Sequence, residues 1–301
     1  MSRKGLEMKL LQNREFYSEY DLTTARKETL KEPAAHQAMA IDNLIKWYKN
    51  KSKRDTYAGG ILVLPTGGGK TFTATRFLCR TALSDGYKVL WLAHTHHLLE
   101  QAYYSFGEHV GAIAEPNSKL RVRVVSGTIG HFHVADIKPK DDVVIATLQN
   151  VTRAYCDDHF ALKSFVDSAK GKLLVIFDEA HHAPAPSYRK LLTSLRDRCQ
   201  DMHLVGLTAT PVYSDENLQG WLNKLFPQGI LYQVTPQYLM AQGILAKPLP
   251  ESQKTSFMPT FDSREYQKWV GTFRDLPEDV ITQLAENNDR NMFIAEHYAK
   301  N

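Results

Sequence analysis

Ile61-Leu62-Val63-Leu64 runs straight into Pro65-Thr66-Gly67-Gly68-Gly69-Lys70-Thr71, and this stretch constrains the fold more than any other. An unbroken aliphatic run halted by proline reads as a strand buried on both faces. The three glycines let successive backbone N–H groups turn inward around an anion, a path that a Cβ would obstruct. A helix starting near Lys70 adds the positive end of its dipole. Lys70 then extends to the β- and γ-phosphates of a nucleotide, and the Thr71 hydroxyl is placed to ligate Mg²⁺. Strand, phosphate loop and helix in that order belong to an α/β fold, whose ligands sit where strand ends meet the following loops.

The rest of the chain carries the pattern that such a sheet requires. After Thr71, β-rich apolar runs at 88–93, 121–125, 143–146, 173–177 and 203–207 alternate with helical patterns at 71–84, 96–110, 161–168, 187–198 and 217–225. That alternation predicts a mostly parallel sheet with helices on both faces. Upstream, Met39, Ile41, Leu44, Ile45 and Tyr48 recur at helical spacing over 34–48, with Pro33 where a helix can start. Residues 1–33 read as a helical or irregular lead-in, and 49–54 as a basic loop. Beyond Pro248 the pattern changes to an irregular linker over 251–262 and helices over 264–273, 277–285 and 290–300. The expected organisation is therefore a lead-in, a nucleotide-binding domain over 34–250, and a helical connector over 251–301.

Composition excludes several classes. No apolar stretch approaches the ~18 residues of a membrane span, and the polar start MSRKGLEMKL lacks the core of a signal peptide. Cys79, Cys156 and Cys199 are widely spaced, which argues against a disulfide framework or zinc site and fits a reducing cytoplasm. The net charge of +4 is compatible with a polyanionic partner.

A second site lies downstream, where Leu173-Leu174-Val175-Ile176-Phe177 delivers Asp178-Glu179-Ala180-His181. Two carboxylates at the end of a buried strand need compensating charge, and a Mg²⁺·nucleotide supplies it. Asp178 would hold Mg²⁺ through its water shell, while Glu179 orients and deprotonates the water that attacks the γ-phosphate. The histidine groups His94/His96/His97, His131/His133 and His181/His182 lack metal-ligand spacing. Asn223-Lys224 is followed by Leu225-Phe226, without the aspartate that reads guanine.

Leu64 stands where the general phosphate-loop pattern has glycine, and Pro65 to Thr71 instead resembles motif I of superfamily-two helicases and translocases. With Asp178-Glu179-Ala180-His181, the resemblance is to the DEAH type. Further segments resemble family motifs in the right order. Trp91 to Gln101 resembles motif Ia, with His94 where many relatives have proline. Val143 to Asn150 resembles the Thr-x-Gln segment, and Leu207-Thr208-Ala209-Thr210-Pro211 resembles motif III. Gln37 matches the glutamine that reads adenine, although Glu32-Pro33-Ala34-Ala35-His36 replaces the usual basic and aromatic residues before it.

The resemblance implies a RecA-like fold, ATP and Mg²⁺ as cofactors, and a site shared among these positions. Gln37, Pro65, Thr66, Gly67, Gly68, Gly69, Lys70 and Thr71 would hold the nucleotide, with Thr71 and Asp178 on the metal and Glu179, Lys70 and Asp178 in catalysis. His181, Thr208 and Thr210 would couple hydrolysis to movement. Thr95, Thr147 and Gln149 would offer uncharged hydrogen bonds to a nucleic-acid backbone. Asp178 to Tyr188 looks more like restriction motors and DNA-repair translocases than RNA-processing enzymes, so duplex DNA is the expected partner ahead of RNA. Such motors place ATP between two lobes, and the Q-x-x-G-R-x-x-R motif of the second occurs nowhere here. The expectation is a first motor lobe that hydrolyses ATP very weakly by itself. The competing expectation is a stand-alone nucleotide-binding module that never moves along DNA.

Overall fold

The computed structural model describes residues 15–50, 58–210, 216–248, 257, 259–260 and 278–300, in two compact units, Met1–Ala246 and Lys247–Asn301. The first unit is built on an eight-stranded sheet. In chain order its strands are β1 (Tyr17–Asp21), β2 (Ala58–Val63), β3 (Lys88–Ala93), β4 (Lys119–Val125), β5 (Val143–Thr147), β6 (Lys172–Asp178), β7 (Asp201–Thr208) and β8 (Ile230–Gln233). Their spatial order is β1-β4-β5-β3-β6-β7-β2-β8. Only β1 is antiparallel to its neighbour, and the other pairs run parallel.

Side chains alternate across a strand, so a strand covered on both sides must be apolar throughout. In β2 and the residue after it, Leu62 and Leu64 enter one core with Phe77, Trp91 and Phe106. Ile61 and Val63 enter the opposite core with Leu90, Phe165 and Phe177. The helices that cover the two faces are α1 (Leu22–Ala25), α2 (Ala35–Lys49), α3 (Lys70–Arg80), α4 (His96–His109), α5 (Leu148–Cys156), α6 (Phe160–Ser168), α7 (Pro186–Arg198), α8 (Glu216–Leu225) and α9 (Pro236–Ala241). None of the described helices is long and apolar enough to cross a membrane.

The lead-in departs from expectation, because residues 17–21 form a strand rather than a helix or irregular segment. Glu19 faces Arg121 in the register with β4, and its carboxylate accepts from Lys119 Nζ at 2.6 Å and Arg121 Nε at 3.0 Å. Below this exposed cluster lies a buried one. Arg123 Nε and Nη2 donate to Asp141 at 2.7 and 3.1 Å, and the guanidinium sits between the Tyr17 and Phe132 rings at 4.6 and 4.5 Å. Strand β8 and helices α5 and α9 are likewise additions to the expected elements.

In the second unit, helices α10 (Glu278–Glu286) and α11 (Asn288–Lys300) correspond to the expected 277–285 and 290–300. Asn287 caps the latter by accepting the Arg290 N–H at 2.8 Å. The expected helix over 264–273, most of the linker, and residues 51–54 of the basic loop lie outside the described residues.

Candidate nucleotide site and strand-binding face

The strands β2, β6 and β7 lie side by side and end together. Val63 is level with Thr208, and Asp178 with Leu207. Leu64 N–H donates to Thr208 O at 3.1 Å, which carries the pairing to the edge of the phosphate loop. Gly67 and Gly69 then take φ of +81° and +83°, a region that costs a residue with a Cβ about 1–2 kcal/mol. A Cβ on Gly69 would also lie 2.3 Å from Gln37 Nε2. Gly69 caps α3, so the first N–H groups of that helix, including those of Lys70 and Thr71, have no intrahelical acceptor and can receive phosphate.

Helix α2 is fastened to this loop from the other side. Gln37 Oε1 accepts the Ala34 N–H at 3.0 Å, and Gln37 Nε2 approaches Gly68 O at 3.4 Å. One amide hydrogen and one lone pair of Gln37 remain for a ligand. His36 Nε2 lies 2.9 Å from the same carbonyl, so that nitrogen carries the proton. Sequence reasoning noted His36 only as a departure; the structure makes it a buried support of the loop. A groove of about 430 Å³ opens beside the loop, lined by Lys31, Gly69, Thr71, Phe72, Gln101 and Tyr104.

Asp178, at the end of β6, is 3% exposed. Burial, and then the neighbouring Glu179 carboxylate, push its pKa up to about 6, against the opposing pull of the Glu179 N–H and the Lys70 charge. A buried, reluctantly ionised carboxylate is relieved by a cation, and Thr71 and Asp178 with phosphate and water oxygens suit the oxygen-rich shell of Mg²⁺. No group of three or more His, Cys, Asp or Glu is arranged for a metal among the described residues. Glu179 has φ +54° and ψ 59°, a left-handed backbone held at a residue that gains nothing from it locally.

From Glu179 a polar chain runs to the end of β7. His181 Nδ1 stands 3.3 Å from Glu179 Oε2 and 3.3 Å from Thr208 Oγ1. The Thr208 hydroxyl donates to Thr210 O and accepts the Thr210 N–H, both at 3.1 Å. The structure thus brings the acidic pair and the three coupling candidates into one network.

The nucleic-acid candidates gather at the ends of β3 and β5. Thr95 and Thr147 are the N-cap residues of α4 and α5, and neither hydroxyl closes its own helix. Thr95 and Gln149 are exposed, whereas Thr147 is 5% exposed and presents little to solvent. The loop after β4, which sequence reasoning missed, reaches the N-terminal turns of both helices. Asn150 Nδ2 donates to Ser126 O at 2.7 Å, and the Thr128 hydroxyl lies 3.1 Å from His96 Nε2. Ile129, between Gly127 and Gly130 with φ of +73° and +86°, is 78% exposed. The glycine-flanked Gly127-Thr128-Ile129-Gly130 was the available signal.

A phosphate cradle after β2 and an acidic pair at the end of β6, with β7 between those two strands in a mostly parallel sheet, define a nucleotide-binding unit of RecA-like α/β type. Residues 30–213 match the family described as "Type III restriction enzyme, res subunit", and the chain belongs to that family, within the superfamily-two helicases. The helicase/translocase subunit XPB of general transcription and DNA repair factor IIH from Dictyostelium discoideum is 27% identical over 240 residues, 76% of this chain and 26% of that protein. Matches to the curated relatives span between 18 and 30% of those proteins' lengths. Among solved structures, the Hef helicase domain of Pyrococcus furiosus is 23% identical with a TM-score of 0.46, covering 66% of this chain and 37% of that one. S. cerevisiae Dbp5 bound to RNA and ADP BeF3 is 16% identical with the same TM-score of 0.46, covering 67% of this chain and 46% of its own.

Proposed function

We propose that the chain is the first motor lobe of a DEAH-type, ATP-dependent helicase or translocase acting on duplex DNA, completed by a second RecA-like lobe from the same or another chain. The observation that carries this reading is the placing of His181 between Glu179 and Thr208, because it puts the water-activating carboxylate one side chain away from the Thr208-Ala209-Thr210 segment at the end of the neighbouring strand β7, where a module that merely binds nucleotide needs no such link. Gly67 to Thr71 hold the phosphates, Lys70 neutralises the β- and γ-groups, and Gln37 reads the base. Mg²⁺, held by Thr71 and Asp178, would offset charge on the phosphates. Glu179 takes the proton of the attacking water. Thr95 and Gln149 bond phosphate oxygens of a strand without reading its sequence, which suits stepping. The resemblance of 178–188 to restriction and repair motors, together with the family match, supports DNA over RNA. The cytoplasm is the proposed compartment.

The test is ATP turnover of the full-length protein with no nucleic acid, with duplex DNA and with single-stranded RNA, at one salt concentration. Stimulation by duplex DNA above that by RNA is expected. Lys70→Ala should abolish nucleotide binding by calorimetry, whereas Glu179→Gln should keep binding and lose hydrolysis. Equal nucleotide affinity for wild type and Lys70→Ala would refute the site.

A further inference from the structure

His94 belongs to neither the phosphate site nor the strand-binding face, yet it touches the surroundings of both. It directly precedes Thr95, the N-cap of α4. Its ring meets that of His182 edge-on, with centroids 4.4 Å apart and planes at 68°. The His182 ring in turn lies 4.2 Å from that of His181. His94 Nε2 is buried without a hydrogen-bond partner, so that nitrogen does not anchor the ring. Burial lowers the pKa of His94 and of His182, which makes their contact one of neutral, packed rings at pH 7 rather than of repelling cations.

The chain of rings ends at a choice. His181 Nδ1 is 3.3 Å from Glu179 Oε2 and also 3.3 Å from Thr208 Oγ1. Both Glu179 Oε2 and Thr208 Oγ1, whose hydrogen goes to Thr210 O, can only accept, and an Nδ1–H has a single hydrogen, so it makes a good bond to only one of them. The imidazole therefore has two settings. In one it occupies the carboxylate that must accept a proton from water; in the other it bonds the Thr208 hydroxyl and leaves Glu179 free. An element with two settings that two sites can bias is the physical requirement for coupling them.

We propose that His94 is a positioning residue that passes occupancy of the α4 N-terminus to Glu179, displacing His182 and thereby moving His181 from the carboxylate to the Thr208 hydroxyl. The proposal rests on the reading of the lobe as a nucleic-acid-stimulated ATPase and names the residue that carries the stimulation. A phosphate bound by Thr95 and the free N–H groups of α4 draws the backbone of the preceding residue with it. The His94–His182 ring contact, and the peptide bond that joins His182 to His181, pass such a displacement on.

The experiment compares wild type, His94→Ala and His94→Phe as full-length proteins, measuring ATP turnover without nucleic acid and with saturating duplex DNA, and duplex affinity by fluorescence anisotropy. His94→Ala should keep basal turnover, nucleotide KM and duplex affinity while its stimulation falls about tenfold, within the ordinary range of coupling between sites. His94→Phe, which keeps a ring against His182, should restore most of the stimulation. His182→Ala, at an exposed position where folding is not at risk, should lose stimulation as His94→Ala does. Wild-type stimulation in His94→Ala or His182→Ala overturns the proposal, as does an equal fall in basal and stimulated turnover or a parallel loss of duplex affinity. A wild-type protein that duplex DNA does not stimulate overturns both this proposal and the reading beneath it, whereas stimulated wild type with stimulated variants overturns this one alone.

Discussion

Asp178→Asn separates the stability of the nucleotide site from its use. With the pKa of Asp178 raised from 3.8 to about 6, the ionised carboxylate costs the folded lobe on the order of 3 kcal/mol at neutral pH. Below the unfolded value both states hold the proton and there is no cost. Between the two values the unfolded chain has already released the proton that the native protein still holds, so stability falls as pH rises across that window and stays lost above the folded value. Asparagine does not titrate and keeps the oxygen that accepts the Glu179 N–H at 3.0 Å. Its amide brings two donors into a buried place, which returns about 1–2 kcal/mol of the gain. The variant should therefore be about 1–2 kcal/mol more stable than wild type above pH 7, seen as a rise of about 2–4 °C in Tm per kcal/mol. The assay is thermal unfolding by circular dichroism in EDTA between pH 5 and pH 8, where the gap should shrink as pH falls. Mg²⁺·ATP should raise the Tm of wild type and leave that of the variant unmoved. A variant no more stable than wild type at pH 8, or a gap independent of pH, would refute the account of Asp178 as a strained, cation-seeking carboxylate.

Gly69→Ala places a methyl group 2.3 Å from Gln37 Nε2 at a φ of +83°, so calorimetry should show at least a tenfold loss of nucleotide affinity, with about 1–2 kcal/mol of destabilisation. Arg123→Met leaves the buried Asp141 carboxylate unpaired and should cost about 3–5 kcal/mol in urea denaturation, with Arg123→Met/Asp141→Leu recovering most of it. Glu179→Gly relieves a left-handed backbone at φ +54° and should stabilise the lobe by about 1 kcal/mol while ending hydrolysis, a trade checked by paired denaturation and turnover assays.

The interior strands were legible because burial on both faces leaves an unmistakable trace: Leu173 to Phe177 contains no polar residue. The edges were not. In β1, Tyr17-Ser18-Glu19-Tyr20 mixes polar and aromatic residues because only part of the strand is covered, and β8 is four residues long. Helix α5 begins at Leu148 immediately after β5 ends at Thr147, with no turn residues to mark the change. The site divides the same way. Lys70, Asp178 and Glu179 stand in short contiguous motifs, so adjacent residues alone suffice to mark them as candidates. His36 and Thr128 gain their roles only when folding brings them to Gly68 and His96, and no spacing in the sequence encodes those meetings.

The strand order also sets a timetable for synthesis. The first strand emerges early and waits, since its partner β4 lies about a hundred residues on, where Glu19 finally meets Arg121. The phosphate-loop strand waits longer still: Val63 has no neighbour until Thr208 and Gln233 have left the ribosome. A growing chain thus carries one of its most apolar segments unpaired from the synthesis of Val63 until that of Thr208, exposed to chaperones and to other nascent chains. The nucleotide cradle is among the last parts of the sheet to close, so ATP has nothing to bind until the lobe is nearly whole.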